Sequence, residues 1–339
     1  MRKTRVLVIL LVFTSVSCSS YRLEVVAEEV PSLADSLKHY VESFQTAYDS
    51  CIEKDSFLYF SDPHLLGYNS TFSQTEQHRF DASFGTMRAL YDYLPLEFVL
   101  CGGDWINNRD TQDAAKRKLL YADARMKQWF SPYYKMMGNH DYNYQGVISF
   151  SNSCRGDLPY DFINGTYYSD EGKSYYMIEG DNTKFFILDT GIDWVTLIDD
   201  YRKEQLEWLA EQLRANEDKH IVIGMHIFYN GKVENNNPMP MSKEVLGLCV
   251  AFNKREVYES NVLNSDFRDS KGKVHFILCG HNHVDFEYLE SAVPCIGITQ
   301  LMTNNCPSYD LCLVDYDSGI LKMIRVGSGA DRQVQFAEL

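Results

Sequence analysis

The sequence predicts an α/β fold in which helices cover layers of strands. Short apolar segments alternate along the chain with longer segments that show the three-to-four residue spacing of an amphipathic helix. Each apolar segment ends in a cluster of Gly, Asp, Asn or His residues, as is typical of buried strands that carry a site at their carboxyl ends. The alternation by itself is compatible with a doubly wound sheet as well as with other layered arrangements.

The individual elements follow from the periodicity of apolar residues. Five segments are predicted as buried strands: residues 57–60, 96–101, 133–137, 221–225 and 274–279. Three segments between them are predicted as helices: residues 82–94, 114–130 and 201–216. Two pairs of segments flank turn sequences and are predicted as hairpins: 174–178 with 184–188, and 311–314 with 321–326.

Before the first strand, an amphipathic segment at residues 30–53 predicts a helix. We assign it to an N-terminal helical extension that covers residues 18–55. We expect the extension to pack on the outside of a domain formed by residues 56–339.

Length and composition restrict the class of protein. The chain has 339 residues, of which 45% are hydrophobic and 23% are charged, so it can bury a core and is neither a disordered chain nor a coiled coil. Its formal net charge of −15 would repel a nucleic-acid backbone, so we expect no nucleic acid duplex as a partner. The cysteines other than Cys18 are spaced too irregularly to predict a compact disulfide framework.

The first residues have the order of a secretory leader. Arg2, Lys3 and Arg5 precede an apolar run that is too short to span a bilayer, and small residues follow it. We therefore assign residues 1–17 to a signal peptide and expect an exported protein. Cys18 resembles the lipid-modified cysteine of bacterial lipoproteins, which predicts a membrane tether through lipidated Cys18 at the bacterial cell envelope. Cleavage without lipidation would instead give a periplasmic or secreted protein.

Five polar clusters carry the functional signal, and each follows a predicted strand. Their Asp and His side chains are suited to hold metal ions, and they include more than half of the chain's 9 His residues. Residues two positions apart, such as Asp62 and His64, would point to the same side if the backbone stayed extended. The clusters are Ser61-Asp62-Pro63-His64, Gly103-Asp104-Trp105-Ile106-Asn107, Gly138-Asn139-His140-Asp141, His226 and Gly280-His281-Asn282-His283.

In this order the clusters resemble the signature of the calcineurin-like metallophosphoesterase superfamily. That signature reads Asp-x-His, Gly-Asp-x-x-Asp/Asn, Gly-Asn-His-Asp/Glu, a separate His and Gly-His-x-His. The resemblance implies a two-sheet β-sandwich flanked by helices, with a dinuclear metal site at the strand carboxyl ends. It also implies that Asp104 bridges two metals, the first held by Asp62, His64, Asp104 and His283, and the second by Asp104, Asn139, His226 and His281.

One position in the second cluster differs from two known branches of the superfamily. The phosphoprotein-phosphatase branch has an Asp three residues after the bridging Asp, and purple acid phosphatases have a Tyr ligand there, whereas this chain has Asn107. We therefore expect neither branch. The resemblance implies that His140 stabilises or protonates the leaving oxygen, and we expect the amide of Asn107 to orient its ring. The segment from Gln205 to Leu209 also matches a Gln-x-x-Trp-Leu helix that is common in the family.

The predicted activity is metal-dependent hydrolysis of a phosphoester by a metal-bridging hydroxide. Two cations can supply the hydroxide and neutralise charge on phosphorus, and oxygen and imidazole ligands suit divalent or trivalent Mn, Fe, Zn or Co. The expected partner is a phosphorylated small-molecule substrate, favoured here as a phosphodiester or a nucleotide-like compound. The alternatives are a phosphomonoesterase and a non-catalytic metal-binding surface protein with the same fold.

Overall fold

The computed structural model describes residues 33–64, 74–107, 112–142, 173–191, 199–216, 218–228, 240–288, 293–301 and 307–336. All of them belong to one compact unit, Ser32–Leu339. The predicted signal peptide and Cys18 lie outside the described residues. No helix in the described part of the chain is both long and apolar enough to cross a membrane. The helices are α1 (Asp35–Ser50), α2 (Gln74–Tyr93), α3 (Gln112–Trp129), α4 (Asp199–Ala215) and α5 (Pro240–Lys254).

Two large mixed sheets of six strands each form the centre of the fold. The first sheet contains, in spatial order, β14 (Arg332–Gln335), β13 (Ile320–Gly327), β12 (Ser308–Asp315), β1 (Lys54–Phe60), β2 (Phe98–Cys101) and β3 (Tyr133–Lys135). The second contains β10 (Phe286–Tyr288), β11 (Cys295–Gly297), β9 (Lys273–Cys279), β6 (His220–Met225), β5 (Thr183–Leu188) and β4 (Tyr176–Glu179).

The two sheets pack face to face, and the alternation of side chains along the strands explains why. On β1, Phe57 and Tyr59 face the second sheet, where they pack with residues such as Val222 on β6. Leu58 and Phe60 point the other way, into an outer core shared with α1, α2 and α3. The second sheet has its own outer core with α4 and α5. This arrangement confirms the predicted β-sandwich flanked by helices.

Parallel pairing brings the ends of the predicted strands together. In the first sheet β1, β2 and β3 run parallel, and in the second sheet β5, β6, β9 and β11 run parallel. The carboxyl ends of each parallel set therefore lie along one edge of their sheet. The later strands β12, β13 and β14 extend the first sheet in antiparallel order from β1.

Helix α5, the short strands β10, β11 and β14, and one further hairpin were not predicted from the sequence. Helix α5 was not predicted, although it buries Met241, Val245 and Phe252 against the second sheet at helical spacing. The short hairpin of β7 (Val257–Glu259) and β8 (Asn264–Asp266) was also not predicted, because neither strand has an apolar alternation. Helix α1 lies within the predicted extension and buries Leu37 and Phe44 in the outer core of the first sheet.

The described cysteines are free and buried. Most occur on strands or in α5, and Cys51 follows α1. They fill apolar positions in the cores, for example Cys101 at the end of β2 and Cys279 at the end of β9. Burial raises the pKa of both thiols well above the ordinary value, which keeps them protonated. Their role in this part of the chain is packing.

Candidate metal centre

The predicted site residues follow the carboxyl ends of five parallel strands. Asp62 and His64 follow β1, Asp104 follows β2, and Asn139 and His140 follow β3 in the first sheet. His226 follows β6, and His281 and His283 follow β9 in the second sheet. Because both sheets turn these strand ends toward one site, side chains that are far apart in sequence come within ligand distance of each other.

The first group of possible ligands consists of Asp62, His64, Asp104 and His283, whose ligand atoms all lie within 4.8 Å of one another. His283 Nε2 lies 3.2 Å from Asp62 Oδ1, and His64 Nε2 lies 2.9 Å from His283 Nε2. Asp62 and Asp104 are fully buried, whereas His283 is exposed. This group matches the first predicted ligand set.

The second group consists of Asp104, His226 and His281, also within 4.8 Å of one another. His226 Nε2 lies 3.2 Å from Asp104 Oδ2, and His281 Nδ1 lies 2.9 Å from Asn139 Oδ1. Asn139, the remaining residue of the second predicted set, thus lies directly beside this group. Asp104 belongs to both groups, as its predicted bridging position requires.

The donor atoms fit a cation. Asp104 Oδ2 and His226 Nε2 are buried and face each other at 3.2 Å, and neither atom has another hydrogen-bond partner in the described part of the chain. On its other side the His226 ring donates from Nδ1 to the carbonyl of Gly102 at 2.6 Å, which directs Nε2 toward the cluster. Carboxylate oxygen and imidazole nitrogen together are typical ligands of first-row divalent metals.

Electrostatics point the same way. Burial disfavours the charged form of His226, but Asp104 and Asp62 outweigh this effect and raise its pKa to about 10. Burial likewise opposes ionisation of Asp104, but His226 and His64 hold its pKa far below the ordinary range. The carboxylates of the cluster thus favour a positive charge nearby. Without a metal this charge is a proton on His226, and a bound metal cation would replace that proton.

The backbone of the site is not extended as the sequence pattern suggested. Asp62, His64, Asp104, His281 and His283 all have left-handed backbone, with φ between 39° and 69°. Among the described non-glycine residues, only Arg255 shares this conformation. The side chains of Asp62 and His64 therefore come together through a strained turn and not through an extended strand. Strained backbone of this kind is common at functional sites.

Two glycines make the close approach of the loops possible. A Cβ at Gly138 would overlap the backbone nitrogen and Oδ1 of Asp104. A Cβ at Gly280 would overlap Ser61 Oγ and come within 2.8 Å of Asp62 Oδ2. Any larger residue at these positions would displace a candidate ligand.

Asp141 belongs to the third sequence cluster, but the sequence assigned it no role of its own. Its carboxylate accepts hydrogen bonds from the backbone N–H groups of Asp104 at 3.0 Å, Trp105 at 2.7 Å and Gly138 at 3.0 Å. It therefore ties the loop after β2 to the loop after β3 and fixes the position of Asp104. Its place directly after His140 was the available signal.

His140 lies at the rim of the cluster. Its side chain is 25% exposed, and Nε2 lies 3.9 Å from Asp104 Oδ2. Its backbone N–H donates to Asp104 Oδ1 at 2.8 Å, and its ring packs edge-on against His64. Burial lowers the pKa of His140 to about 4, so the ring is neutral near pH 7.

Asn107 lies at the end of the same loop as Asp104 and is partly buried. Within the described residues, the structure contains no hydrogen bond between Asn107 and His140. The expected orienting role of Asn107 therefore stays a prediction, while the proximity of the other site residues is part of the structure.

The Gln-x-x-Trp-Leu segment supports the site from α4. Gln205 accepts from the N–H of Asp189 at 2.6 Å and donates to its carbonyl at 3.3 Å, which fixes the chain just after β5. Thr190 Oγ1 then accepts from the N–H of Ile227, next to His226, at 2.8 Å. Gly191 packs so closely that a Cβ there would lie 3.0 Å from the Asn139 nitrogen.

Comparison with solved structures supports the fold. A dimetal phosphatase from Danio rerio aligns with a TM-score of 0.56 and 14% sequence identity, covering 84% of this chain and 99% of that protein. Lower TM-scores are found for GAP50, the anchor in the inner membrane complex of Plasmodium (0.46; 11% identity; 86% and 89% covered), and for the calcineurin-like phosphoesterase YfkN from Bacillus subtilis (0.40; 12% identity; 84% and 89% covered). The comparison with curated protein sequences gave no significant match.

The family comparison matches residues 56–285 of this chain to the calcineurin-like phosphoesterase family. The match begins on β1 and ends just after His283, so it contains every residue of the two candidate ligand groups. Family and residue groups together point to divalent metal ions and suggest a phosphoester hydrolase. The chain belongs to the calcineurin-like phosphoesterase family.

Proposed function

We propose that this protein is a metal-dependent hydrolase that cleaves a small phosphodiester or a nucleotide-like compound. The observation that carries the proposal is the position of Asp104, whose carboxylate belongs to two ligand groups at once. One group would hold the first metal through Asp62, His64, Asp104 and His283. The other would hold the second metal through Asp104, Asn139, His226 and His281.

Bound cations, such as Mn, Fe, Zn or Co, would supply positive charge for the phosphoryl group and activate water as the nucleophile. The chain's own residues supply the remaining functions. Asp104 and Asp62 would offset part of the charge of the cations, and Asp141 keeps Asp104 in place. Neutral His140, at the exposed rim, donates a hydrogen bond to the leaving oxygen rather than acting as a strong acid.

The preference for a diester or a nucleotide-like compound rests on the residue three positions after Asp104. Asn107 stands there, where the phosphoprotein-phosphatase branch has an Asp and purple acid phosphatases have a Tyr ligand. A diester carries one negative charge near pH 7, which two bound cations would offset.

Hydrolysis of bis-para-nitrophenyl phosphate and para-nitrophenyl phosphate with added Mn²⁺ tests this function. We expect turnover of both, with the diester preferred, and a loss of at least about a hundredfold in Asp104→Ala, or about 2.7 kcal/mol of transition-state stabilisation. Asp266→Ala, which removes an exposed carboxylate on β8, is the matched control and should retain activity.

Two outcomes would contradict the proposal. Absence of turnover, or turnover that Asp104→Ala leaves unchanged, would favour a non-catalytic metal-binding protein. A preference for the monoester above about tenfold, or roughly 1.4 kcal/mol, would replace the diester with a phosphomonoester.

We also propose that the protein is exported and tethered to a bacterial envelope membrane through lipidated Cys18. The support is the basic and then apolar leader that ends at Cys18 and is followed by Ser19 and Ser20. Fractionation of wild type beside Cys18→Ala tests it, with wild type expected in the membrane fraction and the variant in the soluble exported fraction. Both proteins in the soluble exported fraction would exclude the tether, and both in the cytoplasm would exclude export.

A further inference from the structure

Four charged side chains form a network between the two sheets, which we call the arginine clamp: Asp285, Asp310, Arg325 and Arg332. Arg325 on β13 pairs directly opposite Asp310 on β12, and Arg332 lies on the adjacent strand β14. Asp285 lies immediately before β10, a strand of the second sheet. The side chains of Arg325 and Asp310 are 1% and 0% exposed, so the centre of the clamp is inaccessible to water.

The guanidinium of Arg325 uses all of its N–H donors. Nε and Nη2 donate to the two oxygens of Asp310 at 2.7 and 3.2 Å. Nη2 and Nη1 also donate to the two oxygens of Asp285 at 2.7 and 2.8 Å, and Nη1 donates to the carbonyl of Ser328 at 3.0 Å. The planar guanidinium group is held by Asp310 on one edge and by Asp285 on the other, which leaves it a single orientation. The position of Asp285 is therefore fixed as well.

Arg332 completes the charge balance of the clamp. It donates to Asp310 Oδ2 at 3.0 Å and to the carbonyl of Gly297 at 2.8 Å. Within the clamp, two carboxylates therefore face two guanidinium groups. Paired charges of this kind hold one another in place, so the clamp can act on the neighbouring turn through its geometry.

Asp285 connects the clamp to the ligand His283, two residues earlier. Its Oδ1 accepts the N–H of Thr299 at 3.0 Å, and the Thr299 hydroxyl donates to the carbonyl of His283 at 3.0 Å. His283 needs such support, because its side chain is 40% exposed and its backbone has a φ of 56°. A strained conformation persists only where its surroundings fix it.

Building on the proposed function, we propose that the arginine clamp positions His283 as a metal ligand by acting through Asp285 and Thr299. Asp310, Arg325 and Arg332 lie beyond residue 285, where the match to the family ends, so this support comes from a part of the chain outside the family signature. These are positioning residues, since none of them contacts the cluster directly.

Variants at Asp285 and Thr299 separate positioning from a purely structural role. Asp285→Asn keeps an acceptor for Thr299 but weakens the grip of Arg325. Thr299→Val removes only the hydroxyl that holds the His283 carbonyl, and Thr299→Ser restores it. Asp315→Asn is the matched control, because Asp315 pairs with Lys322 on the same two strands but at the opposite end of β12.

The measurement is calorimetric titration of Mn²⁺ into the full-length chain after chelator treatment, together with thermal unfolding of the metal-free proteins. We expect Asp285→Asn and Thr299→Val to weaken one of the two Mn²⁺ sites by about 10- to 100-fold. The other site should change by less than about threefold, and Thr299→Ser and Asp315→Asn should resemble wild type.

Unchanged Mn²⁺ affinities in both Asp285→Asn and Thr299→Val would overturn the proposal and leave the clamp as a purely structural link between sheets, even if the unfolding temperature falls. Equal weakening in Asp315→Asn would overturn it as well. A wild-type chain that binds no Mn²⁺ would end both this inference and the proposed function. Binding without hydrolysis would end only the proposed function.

Discussion

The residues that would bind metal are energetically unfavourable for the fold when taken alone. Each of five candidate ligands holds a left-handed backbone, at a cost of about 1–2 kcal/mol for a residue with a side chain. Asp62 and Asp104 in addition bury carboxylates close to each other. The sandwich must offset these costs, and Asp141 and Thr299 contribute by tying the strained loops to fixed backbone groups.

Gly138 offers a test of this tight geometry that removes no ligand. In Gly138→Ala the new Cβ would overlap Asp104, so the carboxylate that belongs to both candidate ligand groups must move. We expect kcat/KM for bis-para-nitrophenyl phosphate to fall at least tenfold, or about 1.4 kcal/mol, with weaker Mn²⁺ binding. Assay and titration of the purified variant measure both effects.

Gly85→Ala is the matched control for that experiment. Gly85 lies inside α2, and a Cβ there would meet no atom within 4 Å. Alanine should stabilise the helix by about 0.5–1 kcal/mol and leave activity unchanged. Full activity in Gly138→Ala would show that Asp104 tolerates displacement and would contradict the rigid bridging geometry.

At the level of elements, α4 links the second sheet to the site. The side chain of Gln205 hydrogen-bonds to both the N–H and the carbonyl of Asp189, as a neighbouring strand would. The chain therefore stays fixed just after β5 ends. Gly191 then reaches the loop that carries Asn139, and Thr190 reaches the loop that carries His226. A helix outside the sandwich is thereby connected to the loops that carry candidate ligands.

Gln205→Leu should therefore affect both stability and activity. The substitution leaves the buried N–H of Asp189 without its acceptor, which costs about 1–3 kcal/mol. We expect urea unfolding to show this loss and kcat to fall with it, because the Asn139 and His226 loops lose their spacing. Gln212→Leu, on the same helix but without that contact, should change stability by less than about 0.5 kcal/mol. Equal effects in the two variants would contradict the linking role of Gln205.

On the scale of the whole molecule, a second set of polar contacts joins the two sheets. It lies at the edge opposite the metal cluster and centres on Asp55 and Glu97. Asp55 on β1 accepts hydrogen bonds from Tyr316 Oη at 2.8 Å and from the N–H of Asn182, in the turn between β4 and β5, at 3.0 Å. Glu97 accepts from the N–H groups of Ser56 at 2.8 Å and Asp181 at 3.3 Å. Burial, reinforced by Asp55, raises the pKa of Glu97 to about 8.

This raised pKa predicts a pH dependence of stability. Glu97 binds more protons in the folded protein than in the unfolded chain, so its contribution to stability falls as pH rises from about 4 to about 8. Glu97→Gln should flatten the curve and gain on the order of 1 kcal/mol relative to wild type between pH 5 and pH 8. Urea unfolding across that range measures the difference, with exposed Glu259→Gln as the control. Parallel curves for wild type and Glu97→Gln would contradict the prediction.

Much of the fold and most of the candidate site could be predicted from the sequence. The five strands that precede the clusters are present, and the residues assigned to the two metal sites converge. Helix α5 was not predicted, although its apolar spacing is regular. The predicted strand at residues 57–60 is shorter than β1, because β1 begins earlier with polar residues such as Lys54 and Asp55. The orienting role of Asn107 toward His140 stays a prediction, since side-chain orientation depends on packing.

The sequence by itself determined the types and order of the site residues, because local periodicity fixes where strands end and the chemistry of Asp and His fixes what those ends can bind. Only the tertiary structure decided which distant residues support them. Asp141 reaches Asp104, Gln205 reaches Asp189, and Arg325 reaches Asp285 through contacts that depend on loop geometry and on how the sheets pack. Such contacts leave no local pattern, because residues far apart in sequence become neighbours only when the two sheets close on each other.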